Sequence, residues 1–126
     1  MLESAKLTAF CATTDAARAK AFYGDTLGLE LRYEDDFALS FDANGVELRL
    51  QKVPDFTPQG FTVLGWQVSD VEATVEALTQ RRVTVEHFDG LSQDDRGIWE
   101  APGGARIAWL RDPDGNLLSV AEYPRS

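Results

Sequence analysis

Ala108-Trp109-Leu110-Arg111-Asp112-Pro113-Asp114-Gly115-Asn116-Leu117-Leu118-Ser119-Val120 joins two apolar runs through Asp-Pro-Asp-Gly. Pro presets φ, Asp tolerates the left-handed region and Gly supplies φ > 0, so the stretch reads as a β-hairpin. Seventy positions earlier the same shape returns as Ala38-Leu39-Ser40-Phe41-Asp42-Ala43-Asn44-Gly45-Val46-Glu47-Leu48-Arg49-Leu50. Asp42 matches Asp112, Asn44 matches Asp114, Gly45 matches Gly115 and Leu48 matches Leu118. The chain therefore reads as two copies of one module, each closed by this hairpin.

Upstream of the first hairpin, Lys6 to Ala12 reads as a strand and Thr13-Thr14-Asp15 supplies helix N-cap chemistry. The helix is expected over about Ala16 to Asp25, with Ala19, Phe22 and Tyr23 on one face, and is ended by Gly24 and Gly28. Leu29 to Glu34, Phe37 to Asp42 and Val46 to Gln51 complete a β-α-β-β-β order. Residues 53–60, with two prolines and a glycine, break both periodicities and read as a linker. The pattern then restarts: a strand over Phe61 to Val68, a capping box in Ser69-Asp70-Val71-Glu72, and a helix striped by Val71, Val75 and Leu78. Asp70 holds the place of Asp15, 55 positions on. Val83 to Phe88 is expected as the next strand, Asp89 to Gly97 as a polar loop and Ile98 to Ala101 as a short extra strand. Arg106 to Arg111 and Asn116 to Glu122 then form the closing hairpin.

The expected fold is α+β. Two tandem βαβββ modules, about 6–52 and 61–123, form one domain over 1–126, a curved, cup-like mixed sheet with helices on its outer face and a ligand in the concavity.

With 126 residues, 44% of them apolar, the chain can bury roughly 65–70% of its unfolded surface, enough for one core. A net charge of −9, with twelve basic residues scattered among twenty-one acids, disfavours nucleic acid and anionic membranes. No apolar run approaches the roughly 18 residues of a membrane span, and Met1 to Lys6 lacks the features of a signal peptide, so a cytoplasmic location is expected. Cys11, the single cysteine, reads as a small buried hydrophobe.

Ala-Phe-Tyr-x-x-x-Leu-Gly-Leu (Ala21 to Leu29) and Ala-Trp-Leu-Arg-Asp-Pro-Asp-Gly-Asn (Ala108 to Asn116), set in an internal repeat, resemble the vicinal oxygen chelate superfamily of glyoxalase I, extradiol dioxygenases and bleomycin-resistance proteins. The resemblance spans nearly the whole chain. It implies the cup-like fold and a homodimer, but no single activity, because the superfamily houses lyases, dioxygenases, epimerases, thiol transferases and binding proteins.

Metal-dependent members typically put His or Glu at four cup-facing places. By the resemblance these fall on Thr8, on Val63 55 residues later, and on Arg49 and Ser119, each four residues past a hairpin glycine. Two hydroxyls, a valine and a guanidinium offer no anionic donor, so the usual metal site is expected to be absent and no cofactor is predicted. A divalent metal would require a relocated ligand set, for which Glu47 is the nearest candidate. If those four places face the cup, strand alternation adds Lys6, Phe10, Glu47, Gln51, Gly65, Gln67, Leu117 and Ala121. Leu48, Leu50, Leu64, Trp66, Val68, Leu118 and Val120 then face the helices.

The ligand-binding candidates are Thr8, Phe10, Arg49, Val63, Gln67, Trp99 and Ser119. Trp66 and Trp109 read as core on the helix-facing phase, and Trp99, beside the module-specific loop, reads either way. Asp112 is a turn residue, and Asp94 and Asp95 are solvated loop charges. His87 reads as a surface or rim histidine, with general base as its alternative. A mid-strand Arg49 must be paired, either with Glu47 or with a bound anion. The leading expectation is a small-molecule-binding protein without the usual metal. The alternative is a glyoxalase- or dioxygenase-like enzyme with relocated ligands, or one using Glu47 or His87 for metal-free acid/base chemistry.

Overall fold

The computed structural model describes residues 1–125. The chain divides into two compact units that meet at Pro58 and Gln59, inside the predicted linker. The first holds β1 (Thr8–Thr13), α1 (Ala16–Lys20) continued by a wider π-helical turn (Ala21–Thr26), β2 (Glu30–Glu34), β3 (Ala38–Ala43) and β4 (Val46–Lys52). The second holds β5 (Thr62–Gln67), α2 (Val71–Gln80), β6 (Trp99–Glu100), β7 (Arg106–Arg111) and β8 (Leu117–Glu122). Strand order is β1-β4-β3-β2 in one sheet and β5-β8-β7-β6 in the other, each with one parallel pair. The α+β class and the two βαβββ modules stand as the sequence predicts.

The repeat is set by matching local signals. Asp15 and Asp70 cap their helices with near-identical backbone (φ −144°, ψ 96° and φ −146°, ψ 100°), accepting from the amides of Arg18 and Ala73. The cap of α2 is thus Asp70 alone and not a Ser69–Glu72 box. Glu72 instead lies 3.3 Å from Arg106, and Glu122 accepts from the Val71 amide at 2.9 Å. In the first hairpin Asn44 and Gly45 (φ 51° and 91°) make a two-residue turn, and the Asp42 carboxylate accepts from the Gly45 amide. The second is longer, with Arg111 and Leu117 as its last ladder pair: Asp112 accepts from the amides of Asp114 and Asn116, and Gly115 takes φ 88°.

In the first unit Ala19, Phe22 and Tyr23 bury as predicted, over Leu39, Phe41, Leu48 and Leu50, with Tyr23 tilted against Phe41 at 5.9 Å. Cys11 is buried there too. In the second unit Val71, Val75, Ile98, Ala108 and Val120 form a core against which Trp66, Val68 and Val85 pack. Val83 to Phe88 is not a strand; only Val85 bridges to Leu110 of β7. The place held by β2 in the first unit is taken by Trp99–Glu100, the stretch expected to be extra. Among the described residues no helix is long and apolar enough to cross a membrane.

Candidate functional site

In each unit the helix covers one sheet face and leaves the other open, and the ladder registers decide which side chains stand there. On the first unit's open face Thr8 is opposite Glu47, Phe10 opposite Arg49, and Ser40 opposite Arg49 on the other side. Phe10 is 58% exposed although apolar. A register shift between Leu31 and Tyr33 breaks the alternation of β2, so that Leu31 pairs with Phe41 while Tyr33 pairs with Ser40. The irregularity turns Tyr33 towards Glu47 and Arg49, a role that simple alternation could not predict.

Four side chains close into one network. The buried Ser40 hydroxyl donates to Glu47 Oε2 at 2.7 Å and the Tyr33 hydroxyl donates to the same oxygen at 3.1 Å. Arg49 Nη1 donates to the Tyr33 oxygen at 2.5 Å and lies 3.6 Å from Glu47 Oε2. Hydrogen bonds from Ser40 and then Tyr33, followed by the Arg49 charge, hold the Glu47 carboxyl below its ordinary range. A 410 Å³ cavity beside the network is lined by Lys6, Thr8, Arg32, Tyr33, Ser40 and Glu47, among others. Glu47 is therefore an ionised acceptor at neutral pH.

The second unit's open face is aromatic. Ser119 pairs with Trp109, so Trp109 stands on the open face and not on the helix-facing phase expected from the sequence. Its ring meets Phe88 edge-on at 5.6 Å and Trp99 at 6.1 Å, and its Nε1 donates to Thr62 Oγ1 at 3.2 Å. Ser119 also faces Gly65, where a Cβ would come within 2.8 Å of its hydroxyl. Gln67 is exposed opposite Ala121. Leu117 and Ala121, on the same phase, are buried. Val63 falls in a register shift between Thr62 and Leu64, so the residue opposite Leu117, and thus the ladder mate of Thr8, is Thr62. Fixed spacing misses this because one residue is absorbed in the shift.

His87 belongs to neither face. It lines a 740 Å³ groove of the second unit together with α2 residues, whereas Glu47 belongs to the first unit. Asp112 is taken up by its turn, its Oδ2 accepting from the Asn116 side-chain amide at 2.8 Å.

Paired βαβββ units with capped helices and matching hairpins define a tandem-module α+β protein. The model of the Glyoxalase/Bleomycin resistance protein/Dioxygenase superfamily matches residues 8–120, and the chain belongs to that superfamily. YraH of Bacillus subtilis (strain 168), described as uncharacterized, is 29% identical over a match covering 84% of this chain and 88% of that protein. Among solved structures, a superfamily member from Sphaerobacter thermophilus aligns with a TM-score of 0.75 at 22% identity, covering 97% of this chain and 99% of that one. A lactoylglutathione lyase from Agrobacterium tumefaciens aligns at 0.73 and 22% identity, covering 94% and 93%. Identities this low establish a shared fold alone.

The residues present do not fit the metal that many relatives use. Thr8, Arg49, Ser119 and either Val63 or Thr62 supply no imidazole or carboxylate, and Arg49 brings a positive charge. Glu47 is already engaged by Ser40, Tyr33 and Arg49. Among the described residues no three His, Cys, Asp or Glu side chains are grouped to hold an ion.

Proposed function

We propose that the chain is a small-molecule-binding member of its superfamily that holds its ligand on the open face of the first unit without a metal. The observation that carries the reading is the Tyr33–Ser40–Glu47–Arg49 network, a charged constellation set beside a cavity and next to the exposed ring of Phe10. Arg49 can exchange its 3.6 Å contact with Glu47 for a bidentate contact with a ligand carboxylate or enolate, while Thr8 bonds and Phe10 covers its apolar body. In the second unit Gln67, Trp99 and Ser119 remain ligand-face candidates in their own right, with Val63 at the sheet irregularity. A cytoplasmic location and, by resemblance, a homodimer belong to the same reading.

The enzymatic alternative has less support. A general base works best with a pKa near the working pH, and Glu47 is held below its ordinary range.

A thermal-shift screen of small carboxylates, phosphates and enolisable carbonyl compounds, followed by titration calorimetry, tests the proposal. Charge-assisted hydrogen bonds are worth about 1.5–3 kcal/mol, so Arg49→Ala should weaken the ligand roughly tenfold to a hundredfold, with Arg49→Lys in between. Unchanged affinity alongside a lowered melting temperature would make Arg49 only a partner of Glu47.

A further inference from the structure

The groove on the helix side of the second unit is independent of the sheet face just described. It is lined by Val75, Glu76, Thr79 and Gln80 of α2, by the segment 82–85, and by His87, Asp95 and Arg96. At 740 Å³ it lies within the range of small-molecule sites.

Its wall is firmly built. The Gln93 side chain accepts from the Phe88 amide at 2.7 Å and donates to the Glu86 and Gly97 carbonyls at 2.9 and 2.7 Å, fixing the backbone on both sides of His87. A Cβ on Gly97 would meet Val85 at 2.5 Å and the His87 ring at 3.4 Å, so the bare glycine allows the imidazole to pack there.

The chain end of α2 is unusual. The Val83 and Arg82 amides donate to the Leu78 and Thr79 carbonyls, the closing bonds of a helix whose next residue is left-handed, a place that favours glycine. That residue is Arg82, at φ 65°. The equivalent helix end in the first unit uses Gly28, at φ 80°. An exposed arginine is thus held where glycine is more stable, on the lining of the groove. Among the described residues no hydrogen bond or ion pair engages the side chains of Arg82, His87, Glu76 or Asp95, whereas Arg96 lies 3.7 Å from Glu72.

From these observations we infer that the groove is a second binding site, for a small zwitterion with an apolar body, such as an aliphatic amino acid. Arg82, with His87 beside it, receives the carboxylate; Asp95 and Glu76 receive the ammonium; Val75, Val83 and Val85 contact the apolar part. Unpaired groups of both signs over a valine floor suit that class better than a simple anion, which the two carboxylates would repel.

His87 is the only histidine, so its imidazole Cε1 proton is a single reporter in a proton NMR spectrum. L-leucine, 4-methylpentanoate (leucine without the amine) and isoamylamine (leucine without the carboxylate) are titrated into the full chain. Leucine should shift the resonance saturably and bind about tenfold or more tightly than either analogue. Arg82→Gly removes the cation while relaxing the backbone, so its denaturation midpoint should equal or exceed that of the wild type while leucine falls to the level of isoamylamine. Arg82→Asn, which also tolerates φ > 0, should behave the same way. Absence of a saturable shift, equal affinity for the three probes, or leucine affinity retained in both Arg82 variants would overturn the assignment.

Discussion

The open faces of the two units share a strand order and differ in chemistry. The first carries Tyr33, Ser40, Glu47 and Arg49 in a hydrogen-bonded network; the second carries Trp99, Trp109 and Phe88 over Gly65 and Ser119. What the units share lies in positions that direct the backbone: a capping aspartate, a hairpin aspartate and glycine, and buried leucines on the helix side. The two units thus share the positions that set the scaffold and differ on their open faces, where Arg49 presents a positive charge in the first and Ser119 a hydroxyl in the second.

The equivalence of the two cores can be broken most forcefully at Leu48 and Leu118, which are 1% and 0% exposed at matching places. Each Leu→Ala change should cost about 2–5 kcal/mol in denaturant unfolding. A loss under about 1 kcal/mol at either site would show that its unit does not depend on that core. The hairpins come next. Gly115→Val should destabilise by at least about 1–2 kcal/mol because a β-branched residue resists φ 88°, and an unchanged midpoint would refute the turn.

A smaller effect separates the units by pH. Lys20 and then Lys52 hold Glu34 down to about 2, from an ordinary 4.5, and Ser40 and Tyr33 lower Glu47. Carboxyl groups depressed in the folded state add stability that is present above pH 4.5 and lost as pH falls towards 2. Acidification through that window should therefore erode the first unit, and Glu34→Gln should flatten the profile recorded by circular dichroism. An identical acid limb in the variant would contradict this.

Much of the scaffold was legible in the sequence because its signals are local. Asp15, Asp70, Gly45 and Gly115 act through their own turn of backbone, and the linker announces itself by its prolines. The faces were less legible because they depend on register. Tyr33 joins the network only through the irregularity in β2, and Thr62 displaces Val63 only through the one in β5. Trp109 misled because both faces of β7 are apolar: Ala108 and Leu110 on one side, Ile107 and Trp109 on the other, so residue type does not reveal phase. In Val83 to Phe88 the alternation was real, but only Val85 reaches β7 as a ladder partner, and β6 takes the remaining edge. For Arg49 the sequence leaves two partners open, Glu47 or a bound anion; the side chain lies 3.6 Å from Glu47 and donates to Tyr33, a neighbour that only the β2 irregularity supplies.

The most direct test of a metal-free binding protein is metal content after challenge. Purified protein is incubated with excess Fe(II), Mn(II), Ni(II) and Zn(II) in turn, desalted, and measured by inductively coupled plasma mass spectrometry. The account predicts far less than one ion per chain in every case, with ligand affinity unaffected by a chelator; one tightly held ion per chain, lost together with ligand binding on chelation, would contradict it.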